Sequence, residues 1–386
     1  MLQDELFGRQ MNHVLVRFHA IAGTQSSDWL SLVSTVRDDE LVHNAFKALI
    51  CGLDSTSTAS VRRHRCAEIV PAIRQRLSSS DATRCLNMIH LVLLLSYQEL
   101  LVWNNPKAWM MHIWGMSTIV QTLGPHAFKS VLELRTYRLI RLFNVSILRT
   151  LVIFELLPLT QHQVPLNVFL RRRSFLEGPE WLHVPWSDGG SKDLQDHTVD
   201  IMVFLPGLLG ETDRIRLEGA STKRLHAGLS RVVDALNIWR HQRLSQHCVL
   251  SPGKPVNLEN VVQELSDGTL SNASTAQAVV LYLATWLLLT RLEPICTFPL
   301  PWSIEYLTES ILDICEEYSY RQSSSGVLPW TFAIRVALFT NLQDGDATRA
   351  RGRDLCVRVE SRYSVRLLSD IIASLPGQDE VLKFDE

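Results

Sequence analysis

WNNPKAWMMHIWGMSTIVQTLGPHAF, Trp103 to Phe128, carries both ends of a helix in its own residues. Asn105 can cap the start by accepting a backbone N–H, and Pro106 fits the first turn, where its missing N–H costs nothing. Gly124 supplies a residue free to turn left-handed just past the end, and Pro125 cannot continue the helix. Between these signals Trp109, His112, Ile113, Met116, Ile119, Val120 and Leu123 recur at spacings of three and four, so one apolar stripe faces a core.

The same periodicity extends outward in both directions and predicts an all-α protein. Upstream, Asp38, Asp39 and Glu40 open a helix that Gly52 closes; Ser60–Leu77 is amphipathic with a break at Pro71; Asp81–Val102 is apolar on nearly every face and therefore central. Downstream, helices are expected at Lys129–Leu157, Thr198–Leu217 with an interruption at Pro206 and Gly207, Leu225–Gln246, Thr275–Leu292, Ile304–Tyr320, Trp330–Leu342 and Gly352–Leu375. Two stretches rich in proline, glycine and serine, 158–196 and 247–274, read as long irregular loops inserted into one multi-helix body spanning 28–386, with residues 1–27 as a lead-in. The longest apolar run, Ala278 to Thr290, falls short of the ~20 residues that cross a bilayer and reads as a core helix, so no membrane association is expected.

Several segments, in order, carry a family likeness. DWLSLVSTVRDDELVHNAFKALICGL (Asp28–Leu53), the Trp103–Phe128 helix with its W, H, G and terminal GP, SFLEGPEWLHVPW (Ser174–Trp186), DIMVFLPGLLGETDRI (Asp200–Ile215) and LSRVVDALNIWR (Leu229–Arg240) together resemble the regulatory middle-homology region of fungal binuclear zinc-cluster transcription factors. The resemblance implies an all-α regulatory domain, a nuclear location, and control of a limited gene set of the kind that governs secondary metabolism.

The family's DNA-binding module is not legible in these residues. Two zinc ions sharing six thiolates need cysteines only a few residues apart. Here Cys51, Cys66, Cys85, Cys248, Cys296, Cys315 and Cys356 are never closer than fifteen residues, and no CxxC occurs. With the first family-like segment starting so near Met1, the expectation is a regulatory body without its own zinc cluster; the rival is a conventional zinc-cluster factor whose DNA-binding segment lies outside this chain. Scattered cysteines of odd number read as buried free thiols in a reducing compartment. No secretory leader is read at the start, which leaves the sequons at Asn144 and Asn272 without a role. A composition with 46% apolar and 20% charged residues excludes a disordered activator, and a net charge of −2 offers phosphates no general attraction.

Candidate chemistry is sparse. There is no GxGxxG, GxxxxGK[ST] or HExxH, and GMSTI at Gly115–Ile119 fails the nucleophile-elbow pattern, so no catalytic, cofactor-binding or metal-binding residue is assigned and an enzyme is not expected. His112 reads as a hydrogen-bonded core histidine, with a sensing or ligand-binding role as the alternative. His241, His247 and Cys248 have the residue types of a metal site but not its helical spacing. Arg135, Arg138 and Arg141 form a ridge that reads as solvated, with an acidic dock as the alternative. Arg62–Arg65 and Arg171–Arg173 are short basic clusters at the surface or signals for nuclear import. Trp109, Trp114, Trp181, Trp186, Trp239 and Trp286 read as core packing with their indole N–H groups satisfied, or else as walls of an effector pocket. The function expected is therefore transcriptional regulation through a DNA-binding partner protein, a second copy or a small-molecule effector, without autonomous specific DNA binding. A metabolic enzyme or small-molecule-binding protein on the same scaffold is the remaining alternative.

Overall fold

The computed structural model describes residues 106–142 and 174–363, apart from 132, 189, 291, 293–297, 322–326 and 341–345, together with 88–93, 95–96 and positions 40, 41, 44, 71 and 75. Of the interpretable part 80% is helical, with no strand among the described residues, so the fold is all-α. Most of the expected helices at 38–52 and 60–77, the Arg62–Arg65 and Arg171–Arg173 clusters and the stretch 143–173 lie outside the described residues.

Helix α1, Pro106–Leu123, begins at the predicted proline. Gly124 follows it at φ 76°, and Pro125–Ala127 turns the chain in a short 3₁₀ segment. Met116, Ile119 and Val120 are buried, as their spacing requires. Helical residues 131–142 come next, and the helical residues 88–93 and 95–96 are buried, while the rest of the expected 81–102 helix lies outside the described residues.

The stretch expected to be a loop up to Asp196 is instead largely helical from 174 onward. A 3₁₀ turn at Ser174–Glu177 leads into α2, Pro179–His183, and a second turn at Val184–Trp186. Proline is the reason in both: Pro179 and Pro185 sit in first turns, where a proline starts a helix as readily as it ends one. α3 runs Leu194–Met202 behind a capping box in which Asp193 and Asp196 each accept the other's backbone N–H. α4, Leu205–Glu218, follows after a two-residue break, with Pro206 in its first turn rather than within a longer helix. Gly219 ends α4 left-handed at φ 64°.

α5, Lys223–Ile238, passes through one π-helical turn, Trp239–Arg243, into α6, Leu244–His247. The second expected loop, 247–274, also holds a helix, α7, Leu258–Ser266. Asn257 caps it by accepting from Asn260 N, and Leu258, Val261, Val262 and Leu265 form its buried stripe. The helix is short enough that SPGKP before it and SDG after it hid its period. α8, Ala273–Thr290, α9, Ile304–Arg321, α10, Val327–Thr340, and α11, Asp346–Tyr363, complete the described chain.

α8 is the axis of the molecule: α3, α9 and α10 pack around it, α11 backs onto α9 and α10, and α7 lies against α9. Every α8 residue but Ala273, Ser274 and Leu288 is buried. Two of its hydroxyls are satisfied within the helix, Thr285 donating to Leu281 O and Thr290 to Leu287 O, while the buried Tyr282 hydroxyl has no hydrogen-bond partner. At about 1.5–3 kcal/mol for each large apolar side chain removed from water, Leu281, Leu283, Leu287 and Leu289 make this helix the largest single contributor to the core. By length and composition it could cross a membrane, but 83% of its apolar window is buried by the other helices.

Candidate functional site

Two places in this body concentrate charge. The first is built on the arginine ridge of 131–142. Three-residue spacing rotates successive side chains around a helix, so Arg135 is exposed, Arg138 is half-buried and Arg141 is 1% exposed. The ridge is thus not a solvated face: its dock is acidic, and lies on α3 of the same chain. Arg141 Nη2 donates to Asp200 Oδ1, and Arg138 Nη2 lies 2.7 Å from Asp196 Oδ2. Lys192, on the connection before α3, donates from Nζ to Asp200 Oδ2 at 2.6 Å and to Leu182 O at 2.5 Å.

Aromatic rings wall the cluster. The Arg141 guanidinium stands 4.9 Å from the Trp186 ring centre and 5.6 Å from that of Tyr137, while Lys192 Nζ is 4.4 Å from Trp186. Tyr137 donates to Trp181 O at 2.8 Å and stacks on Phe128, with centroids 5.0 Å apart. Burial drives the local titrations: it holds Lys192 below the usual lysine range against the pull of Asp200, raises the Tyr137 phenol, and pushes Asp196 up to about 6 with the Asp193 carboxylate adding to the effect. Arg141 Nε and Nη1 and Trp186 Nε1 are buried without a hydrogen-bond partner, so Trp186 does not meet the expectation of a satisfied indole. Trp239 does, donating to Leu194 O at 3.4 Å while it stacks on Tyr282 at 4.3 Å. Trp181, Trp239 and Trp286 are core residues, although Trp286 Nε1, like that of Trp186, is buried without a hydrogen-bond partner; the side chains of Trp109 and Trp114 lie outside the described set.

The second place is an open groove of about 490 Å³ between α7, α9 and α11, lined by Glu259, Asp267, Glu309, Asp313, Glu316 and Glu317 around Arg351. Arg351 reaches Glu309 at 2.8 Å, Asp313 at 2.6 Å and Glu316 at 2.8 Å, and Arg358 also meets Glu316 at 2.8 Å. Burial works against the Arg351 charge, but Asp313 and Glu316 outweigh it and raise its affinity for a proton. Hydrogen bonds from Arg358 and Arg351 hold Glu316 below the usual carboxylate range. The groove binds a guanidinium of its own chain, which is what such a carboxylate set does best.

The remaining candidates separate. His241 is exposed, whereas His247 faces His197, ring centres 5.8 Å apart. Burial, aided by Arg243, lowers His197 to about 4. Cys248 is buried and its thiol is raised to about 11 by that burial. No group of three metal-ligating side chains forms among the described residues. Cys315 and Cys356 are likewise buried and outside any disulfide. His112 is half-buried, and burial lowers its pKa. Asn272 caps the start of α8, accepting from Ser274 N and Thr275 N.

Sequence reasoning pointed to the arginines but missed their carboxylate partners. Asp196 and Asp200 sat in a segment read as loop and first turn, and only a helix starting at Leu194 puts both on one face. Compared with known proteins, the chain matches no family model, no curated protein and no solved structure.

Proposed function

We propose that this chain is a transcriptional regulator that works through contacts of its helical body with a DNA-binding partner, a second copy or a small-molecule effector. The order of the helical segments that resemble the fungal regulatory region gives the class of process. The observation that carries the mechanism is the ionic junction between 131–142 and α3. Buried ion pairs are weak sources of net stability, because desolvation cancels much of their attraction, but they make the register between two elements all-or-none. A junction with five charged groups, Arg138, Arg141, Lys192, Asp196 and Asp200, is therefore an element with discrete arrangements, and a ligand with unequal affinity for them shifts the population.

The test pairs two assays. The purified chain is titrated against promoter fragments in a gel shift at ~150 mM salt, where phosphate neutralisation dominates affinity, and no sequence-selective binding is expected from a chain of net charge −2. Affinity recovery from nuclear extract is expected to return it with a DNA-binding protein, and its deletion to change a limited set of transcripts. A protein confined to the cytoplasm, whose loss alters a metabolite and no transcript, would overturn the proposal in favour of the enzyme.

A further inference from the structure

Asp196 is the more buried of the two carboxylates in the ionic junction. Its side chain is 6% exposed. Oδ2 takes both Arg138 Nη2, at 2.7 Å, and the Asp193 backbone N–H, at 3.2 Å. Oδ1 lies 4.0 Å from Arg141 Nη1, beyond hydrogen-bond reach, because the Arg141 guanidinium is committed to Asp200. The capping box also sets a second carboxylate beside it, since Asp193 Oδ1 accepts the Asp196 backbone N–H at 2.7 Å. A carboxylate removed from water and set next to a like charge holds a proton more tightly than the same carboxylate in solvent, and here burial outweighs the opposing pull of Arg138 and Arg141.

We infer that Asp196 makes the junction a proton-responsive lock, closing more firmly between the 131–142 helix and α3 as the solution is acidified. The groups that face it are Arg138 and Arg141 from the 131–142 helix, Lys192 and Asp193 from the connection before α3, and Asp200 from α3 itself. Protonating Asp196 leaves the pairs of Asp200 with Arg141 and Lys192 in place, and Arg138 keeps its hydrogen bond to Ser191 O at 2.7 Å. The sign follows from linkage. Closed, Asp196 titrates at about 6, and in any arrangement that returns it to water it titrates near the ordinary 3.8. Proton uptake is thus stronger in the closed form, so opening is favoured above pH 6 and suppressed below it. This holds whether or not the chain regulates transcription.

His90 acts on the same helix in the opposite sense: its Nε2 meets Thr136 Oγ1 at 3.1 Å, and burial lowers its pKa to about 4. The experiment therefore compares two proteins in which His90 is unchanged. Amide hydrogen exchange across 131–142 is measured on the full chain, wild type and Asp196→Asn, at pH 7.5 and pH 5 and corrected for intrinsic exchange. The wild type is expected to open more than the variant at pH 7.5, and the ratio of the two openings to fall about tenfold by pH 5. A ratio that is flat, or that rises with acid, would overturn the lock, as would a variant that opens more than wild type at pH 7.5. If Asp196→Asn does not fold, a carboxyl-carbon NMR titration of the wild type decides: a midpoint near 6 supports the lock, and one at or below the ordinary carboxylate range overturns it.

Discussion

Arg141 is the residue whose loss should be felt most. It is 1% exposed and couples Asp200 on α3 to the faces of Tyr137 and Trp186. Arg141→Ala would leave Asp200 with only Lys192 in a desolvated site, and breaking a buried pair from one side costs about 3–5 kcal/mol. Arg135→Ala, on the exposed flank of the same ridge, should stay within about 0.5 kcal/mol of wild type. Urea midpoints of the two variants measure the difference. A loss below about 1 kcal/mol for Arg141→Ala would mean that water reaches the cluster in solution. The three arginines were visible in the sequence as a ridge; what no spacing could tell was which of them turns inward, because that depends on where α3 lies across the helix.

At the scale of the element, two helical glycines separate propensity from packing. Gly210 in α4 and Gly352 in α11 both sit where alanine would favour the helix by about 1 kcal/mol. A Cβ at Gly210 meets nothing within 4 Å, so Gly210→Ala should stabilise the protein by about that amount. A Cβ at Gly352 would lie 2.3 Å from Leu338 Cδ2 and 3.0 Å from its Cγ, and Leu338 is buried at the α10–α11 contact. Gly352→Ala should therefore lose about 1–3 kcal/mol to overpacking despite its better propensity. Thermal unfolding of both variants tests the contrast, and equal shifts of the same sign would contradict it. The long elements were legible for two reasons: α1 and α9 repeat their apolar residues at helical spacing, and α8 and α10 are long, continuous apolar runs. It concealed α2 and α7 because so short a helix shows too few repeats to outweigh the prolines and glycines beside it, and of those residues Pro179 starts α2 while Gly268 lies just past the end of α7.

At the scale of the whole molecule, two pairs of groups shifted by burial push the pH dependence of stability in opposite directions. His90 and His197 titrate at about 4 when folded and at 6.5 when not, both lowered by burial. The unfolded chain then binds more protons, and stability falls as pH drops from 6.5 to 4; the fully buried His90 alone accounts for about 3 kcal/mol of that loss. Asp196 and Glu177 have the other sign. Burial raises Asp196 to about 6, and it raises Glu177 to about 7 although Arg231 and the Gly207 backbone N–H pull the other way. Here the folded chain binds more protons, so stability rises as pH falls through 7 and 6 toward the ordinary carboxylate range. The two trends overlap between pH 6.5 and 4, where each offsets part of the other's effect on the wild-type urea midpoint. Replacing both carboxylates, Asp196→Asn with Glu177→Gln, removes only the acid-favoured half, since glutamine still offers an oxygen to the Gly207 N–H. That double variant should be more stable than wild type at pH 7.5 and should lose the advantage steadily between pH 6.5 and 4. A double variant that is less stable at pH 7.5 would show that the arginine partners outweigh desolvation at these carboxylates, and one whose profile parallels the wild type would show that Asp196 and Glu177 titrate alike in the folded and unfolded chain.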